Sequence, residues 1–412
     1  MDNEILSITI ILAAAFAYVN HRWIKWPPTI GIMVLALLTS IAIIIAGEFI
    51  PAFSQQVVHM VAAIDFQKIL MDFMLGFLLF AGAIQLSARK LKKERLAITV
   101  LSTIGIIIST FLIGGLSWYL FKLFNIHIEF IYCLLFGALI SPTDPIAVLA
   151  ILKAAKIPSS LEVKISGESL FNDGVAVVLF ISIAEVAKNG TQHFEAFDLI
   201  KLFTRQAIGG LVFGGILGYC GFLVLRSIDN YTVEILITLA MVMGGYSIAA
   251  HLHVSGPLAM VVAGIITGNK VKDEGMSETT QDYLTKFWEM IDEILNAVLF
   301  LLIGVEMLII KFNATVFFIG MIIILVVLLA RWISVVIPIS VLRLWMPFEK
   351  NTVAILTWGG LRGGLSVALA LSLTSSMHKD EFVVITYMVA VFSILVQGLT
   401  IGRFVKNLSA KV

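Results

Sequence analysis

Apolar residues run along this chain in blocks of roughly twenty, separated by short polar stretches, from one end to the other. A membrane-crossing helix needs about 20 mostly apolar residues. The pattern predicts thirteen such helices, at 5–20, 29–47, 70–86, 96–121, 130–152, 166–187, 205–225, 233–250, 254–268, 287–310, 314–342, 352–374 and 382–402. The ninth is short and rich in Gly and Pro, and the third carries Asp72 near its start, so these two are the least regular. Met1-Asp2-Asn3-Glu4 lacks the positive flank of a secretory signal, and the first run is expected to stay as a span. The fold class expected is an all-α polytopic membrane protein, with residues 1–412 forming a single membrane domain.

Composition sharpens this picture. Hydrophobic residues make up 59% and charged residues 13% of the 412 positions, a balance that suits lipid as the main solvent. The net charge of +1 offers no basic field for nucleic acid. Cys133 and Cys220 stand alone inside apolar runs, without metal or disulfide spacing, and read as packing residues. Lysines and arginines alternate along the chain. The loops after odd-numbered runs hold 19, whereas the N-terminus and the loops after even-numbered runs hold 6. Cytoplasmic loops are the basic ones, so the N-terminus is expected outside and the C-terminus in the cytoplasm of a cell inner (plasma) membrane. Arg89-Lys90-Leu91-Lys92-Lys93-Glu94-Arg95 is the strongest cytoplasmic anchor.

Two runs are broken. The fifth contains Ser141-Pro142-Thr143-Asp144-Pro145, where proline removes a backbone donor and disfavours helix just before it. Asp144 or Thr143 can cap a new half-helix with Pro145 in its first turn. The twelfth contains Trp358-Gly359-Gly360-Leu361-Arg362-Gly363-Gly364, four glycines around one arginine. An offset of seven runs places the two breaks in opposite orientations across the membrane and predicts an inverted repeat. Interrupted helices at matching places of two inverted halves point to a binding site near the midplane. Asp144 would offset the positive amide ends there and Arg362 the negative carbonyl ends.

The remaining charges fall close to these breaks. The sixth run reads Glu168-Ser169-Leu170-Phe171-Asn172-Asp173-Gly174 and then turns apolar. Ser169 and Asp173, four apart, share one helix face, and Glu168 and Asn172 share the adjoining one. Sodium is a hard cation that takes oxygen ligands, and Asp173, Ser169 and the backbone near Thr143 can supply them. Glu168 and Arg362 are each costly to bury alone and are expected to pair. Arg331 is also embedded and reads as a structural anchor, with a reach toward the nearer interface as the alternative.

The three motifs together resemble the monovalent cation:proton antiporter-1 family, and within it the prokaryotic NhaP-type sodium/proton antiporters. The resemblance covers nearly the whole chain. It implies an NhaA/NhaP-like antiporter fold of about 13 transmembrane helices, an inverted repeat with two broken helices crossing near the midplane. It further implies a homodimer surrounded by lipid, with a core bundle at 96–187 and 314–402, a dimer-interface domain at 5–86 and 233–310, and a linking helix at 205–225. The activity implied is exchange of Na+, or Li+, for H+ without a cofactor and without enzymatic chemistry. Cation and proton binding falls to Asp173, with Asn172, Ser169 and Thr143 near it, and the family pattern pairs Glu168 with Arg362. One departure stands out: some relatives carry a carboxylate ligand in the third run, where this chain has Phe80-Ala81-Gly82-Ala83.

Exchange is expected to be one for one, since Asp173 alone is free to change its proton if Glu168 and Asp144 stay committed. Oxygen ligands leave K+/H+ exchange on the same fold open. A cation channel lacks a carbonyl-lined filter or charged ring here. An intramembrane hydrolase would need Ser169 with His251 or His253, without any supporting nucleophile or zinc signature. Met241, Met243 and Met260 read as packing residues.

Overall fold

Short polar side chains between the apolar runs start the helices. Asn230 caps Tyr231–His251 by accepting from the amides of Thr232 and Val233, Ser277 caps Glu278–Glu306 through Thr280, and Asn313 caps Ala314–Leu342 through Thr315. Proline opens Pro28–Phe49 and Pro51–Ala62, where its missing donor costs nothing. The computed structural model describes residues 3–144, 148–149, 152, 157–189, 196–273, 277–310 and 313–409.

The described helices are α1 (Asn3–Val19), α2 (Pro28–Phe49), α3 (Pro51–Ala62), α4 (Leu75–Ile84) and α5 (Ala88–Leu123). They continue with α6 (Phe130–Ile140), α7 (Ser159–Asn189), α8 (Ala196–Arg226), α9 (Tyr231–His251) and α10 (Gly256–Asp273). The chain closes with α11 (Glu278–Glu306), α12 (Ala314–Leu342), α13 (Thr352–Trp358), α14 (Gly364–Leu371) and α15 (Lys379–Leu408). Every apolar run of the sequence lies on one of these helices, the fifth continuing past its break only at 148–149 and 152 among the described residues. Among the described residues, eight helical stretches are long and apolar enough to cross a membrane by length and composition. Pro145, expected in the first turn of a half-helix, lies outside the described residues.

Boundaries differ where helices outrun their apolar stretch. α7 starts at Ser159 instead of 166, and α11 at Glu278 instead of 287. Their first turns are polar, and hydropathy marks the lipid-facing length of a helix, not its hydrogen-bonded length. In α7 the extension carries Lys164, which is buried yet paired with Glu94 of α5 at 3.2 Å and Glu349 at 3.1 Å. α3 was not among the expected runs; none of its residues is buried.

Glycines let the helices approach closely, as small residues do where lipid offers no hydrophobic drive between helices. Gly210, Gly214 and Gly218 form one ridge of α8 against α10, and a methyl at Gly218 would lie 2.9 Å from the Ala263 Cα. On its far side α10 places Gly264 against the Phe80 carbonyl of α4, where a methyl would lie 2.9 Å away. Gly114 of α5 meets the α6 backbone at Leu134 in the same manner. The helices sort accordingly: α5 packs on α6, α7 and α12, and α12 on α15, while α10 lies between α4 and α8, and α11 packs on α2 and α4. Large apolar side chains such as Ile11, Ile208, Leu236, Phe318 and Leu325 stay exposed on the outside, as lipid contact requires. Cys133 is buried as expected, whereas Cys220 and Met243 sit on exposed faces and are not core residues.

Candidate ion-binding site

The two breaks meet. α6 ends at Ile140, and α13 and α14 are separated by Gly359–Gly363. The two extended segments pair antiparallel, with the Asp144 amide donating to the Leu361 carbonyl at 2.8 Å. Arg362 Nη1 donates to the Ser141 carbonyl and, at 2.9 Å, to the Pro142 carbonyl, at the end of α6. The Asp144 side chain lies against Gly363, the residue that precedes α14. A cation thus sits at a helix C-terminus and an anion at a helix N-terminus, each with the sign the helix dipole favours.

α7 supports the first break with two residues one turn apart. Asn172 Nδ2 donates to Thr143 Oγ1 at 2.7 Å, and the Thr143 amide donates to Asn172 Oδ1 at 3.3 Å. Ser169 Oγ lies 3.2 Å from Thr143 Oγ1. All three side chains are buried. The second break has a matching brace on α15: the Arg362 amide donates to Ser393 Oγ at 3.0 Å, and Gln397 Nε2 donates to the Trp358 carbonyl at 3.1 Å. Ser393 Oγ in turn donates to Gln397 Oε1 at 2.5 Å.

The expected Glu168–Arg362 pair is replaced by another. Glu168 accepts two hydrogen bonds from Arg331, Nη1 to Oε1 at 2.6 Å and Nη2 to Oε2 at 2.8 Å. Arg331 also donates from Nε to the Leu356 carbonyl at 3.2 Å, and at 5% exposure it does not reach for the interface. The physical reason is that Arg362 is consumed by the half-helix carbonyls beside it, whereas a guanidinium fork on α12 meets the carboxylate two-pronged. Gly360 makes room for it, since a methyl there would stand 2.6 Å from Arg331 Nε. Gly360→Ala is expected to displace the guanidinium and lower stability by about 1–3 kcal/mol, the scale of overpacking a tight interior. Thermal unfolding in detergent measures it, and a melt equal to the parent's would contradict the tight fit.

Asp173, next along α7, lines a cavity of about 1060 Å³ together with Pro142, Asp144 and Ser366. The other acidic groups acting on it are Asp144 and Glu168. The Phe80-Ala81-Gly82-Ala83 stretch brings only Gly82 to the cavity wall, so no third-run carboxylate stands there. α11 instead contributes Glu289, Asp292, Glu293 and Asn296. These were not anticipated, although their recurrence at helical spacing inside a predicted span was the signal that could have found them. The structure does not bring His251 to Ser169: His251 Nδ1 is 2.8 Å from the Ser247 carbonyl on the exposed end of α9, while Ser169 is engaged with Thr143. A hydrolytic pair is absent among the described residues.

Two interrupted helices that cross beside a carboxylate in an intramembrane cavity define a secondary transporter built for alternating access. The chain belongs to the family of transmembrane sodium/hydrogen exchangers, whose pattern matches residues 10–407. It is similar to the Na(+)/H(+) antiporter NhaP of Pseudomonas aeruginosa, with 47% identity across 99% of this chain and 97% of that protein. The Na(+)/H(+) antiporter NhaH of Halobacillus dabanensis is 33% identical across 98% of this chain and 97% of its own. The solved structure of the sodium proton antiporter MjNhaP1 from Methanocaldococcus jannaschii superposes with a TM-score of 0.74, covering 98% of this chain and 97% of that one. At 18% identity the latter likeness speaks for the fold. Membership of this family makes the chain a transporter and not an enzyme.

Proposed function

We propose that this chain exchanges Na+ for H+ across the cell membrane, with both ions competing for the Asp173 carboxylate. The observation that carries the reading is the position of Asp173, facing a cavity beside the crossing of the two breaks. Thr143, Ser169 and Asn172 supply neighbouring oxygens of the kind a hard monovalent cation takes. The relatives named above, all sodium/proton antiporters, agree with it. Li+ is proposed as an alternative substrate.

In this reading the bundle 96–187 and 314–402 moves against 5–86 and 233–310, with 205–225 linking them and the latter forming a homodimer interface. The closer packing of α5 with α6, α7 and α12, and of α10 with α4 and α8, supports such a division. The distribution of basic residues supports an N-terminus outside. Gln85, Glu162 and Thr285, at the ends that this topology assigns to the cytoplasm, line the cavity, which supports access from that side.

One-for-one exchange follows from charge counting. Glu168 is held by Arg331, and Asp144 lies at the start of α14, which leaves Asp173 to carry either a proton or a cation. The moving bundle then has the same charge on both legs of the cycle. Proteoliposomes holding an imposed pH gradient are expected to lose it on addition of sodium or lithium, and the steady-state gradient is expected not to shift under a potassium-valinomycin potential. One net charge moved across 100 mV is worth about 2.3 kcal/mol, so a second proton would be visible. A response to potassium alone would overturn the substrate, and a shift with potential would overturn the stoichiometry.

A further inference from the structure

The cavity has a second polar wall that exchange at Asp173 leaves unused. On α11, Thr285, Glu289, Asp292, Glu293 and Asn296 all line it. Their spacing of four, three, one and three residues keeps them on one stripe at 100° per residue. Beside the stripe on the same helix Leu284 and Trp288 are both buried, with the Trp288 ring packed on Phe80. These buried neighbours help fix the rotation of the helix that brings the stripe to the cavity. Carboxylates from Asp144, Glu162, Asp173, Glu289, Asp292 and Glu293 reach the lining, and no lysine or arginine does among the described residues. A one-signed cavity with largely apolar walls concentrates counter-ions.

Charge alone does not make a site, but one buried oxygen here lacks a partner. Asn296 is 2% exposed, and its Nδ2 donates to the Asp292 carbonyl at 2.8 Å and to Asp292 Oδ1 at 3.0 Å. Two acceptors on that end fix it as nitrogen. Asn296 belongs to the cavity lining, and its buried Oδ1 has no hydrogen-bond partner. Ser366 of α14, 1% exposed and also in the lining, carries a second unpartnered oxygen. Buried polar atoms are normally satisfied, and an exception calls for a missing partner. Acceptor oxygens beside a carboxylate are the ligand set of a hard cation.

We propose that Asp292 and Asn296 form a second binding site for the transported monovalent cation, on the wall facing Asp173 and occupied before it. The site takes a sodium-sized cation that still holds part of its water, with Asp292 supplying the charge and Asn296 Oδ1 a neutral ligand, while Glu289 and Glu293 raise its local concentration. Because α11 belongs to the interface side, this site stays behind when Asp173 crosses and leaves the charge count of the moving bundle unchanged. The proposal rests on the reading that the chain exchanges cations at Asp173.

The full-length protein in proteoliposomes tests it through the sodium dependence of proton flux at fixed pH and ionic strength. Asp292→Asn is expected to raise the half-saturating sodium concentration about fivefold to tenfold, roughly the worth of one lost charge contact. Asp292→Glu should restore it to within about twofold, which a packing defect would not. Half-saturation unchanged in Asp292→Asn, or raised equally in Asp292→Glu, overturns the site. A second measurement decides should Asp292→Asn fail to fold: thermal stabilisation by sodium against choline in Asp173→Ala detergent samples. Residual sodium stabilisation that Asn296→Leu removes supports the site, and its absence in Asp173→Ala overturns it. Full sodium-driven exchange by Asp173→Ala would instead sink the reading of Asp173 and leave these two measurements to judge Asp292 on their own.

Discussion

Asp173→Ala leaves a folded protein that exchanges nothing. The carboxylate is the one charge of α7 at the crossing that is turned to the cavity, since Glu168, five residues earlier, is locked to Arg331. Without it the remaining oxygens of Thr143, Ser169 and Asn172 are neutral and already bonded to one another. A cation stripped of water then meets no compensating charge, and a proton has no group to ride on. Structure should survive, because Asp173 braces neither break: Asn172 and Ser169 do that. Sodium-driven proton flux is expected to fall to the level of empty liposomes, with the detergent-solubilised protein eluting and melting near the parent. Near-normal flux in this variant would remove Asp173 from the mechanism. Asp173→Glu is the sharper companion, since it keeps the charge but moves it by one methylene, and altered sodium half-saturation with residual flux is the expected outcome.

Arg331→Ala and Glu168→Gln are each expected to destabilise the protein by about 3–5 kcal/mol, because either leaves one charge buried and uncompensated. Glu168 is 1% exposed, and Arg331 has in addition the Leu356 carbonyl to satisfy. The pair ties α7 to α12 and, through Leu356, to the half-helix α13, so its loss loosens the frame on which both breaks rest. A double-mutant cycle on thermal unfolding checks the assignment. Glu168 should couple strongly to Arg331, with the double variant less damaged than the two single losses added together. Against Arg362, whose guanidinium serves the Ser141 and Pro142 carbonyls, the same cycle should show weak coupling. Strong coupling of Glu168 to Arg362 and none to Arg331 would restore the pairing that sequence alone suggested.

That correction marks the boundary between what a linear pattern determines and what it leaves open. The apolar runs were legible because lipid imposes a length and a polarity on any helix that crosses it, independent of neighbours. The two breaks were legible for a related reason: paired prolines, clustered glycines and isolated charges are costly at that depth and stand out against an apolar background. Local spacing along α7 put Ser169 with Asp173 on one face and Asn172 on the adjoining one, and the family resemblance set Ser169 and Asn172 near Thr143, where both lie.

Partner choice between distant charges was not legible. Glu168, Arg331 and Arg362 offered two possible pairings, and only the path of α12 past α7 chose between them, with the Arg362 guanidinium taken up by carbonyls that the broken helix leaves unpaired. The acidic stripe of α11 was hidden for the opposite reason. Glu289, Asp292 and Glu293 lie at the start of the apolar run 287–310, and in sequence a polar stripe there reads equally as a solvated helix end or as the wall of a cavity. Tertiary packing decided the difference, because Trp288 and Leu284 are buried beside the stripe and the carboxylates line the cavity that Asp173 also lines.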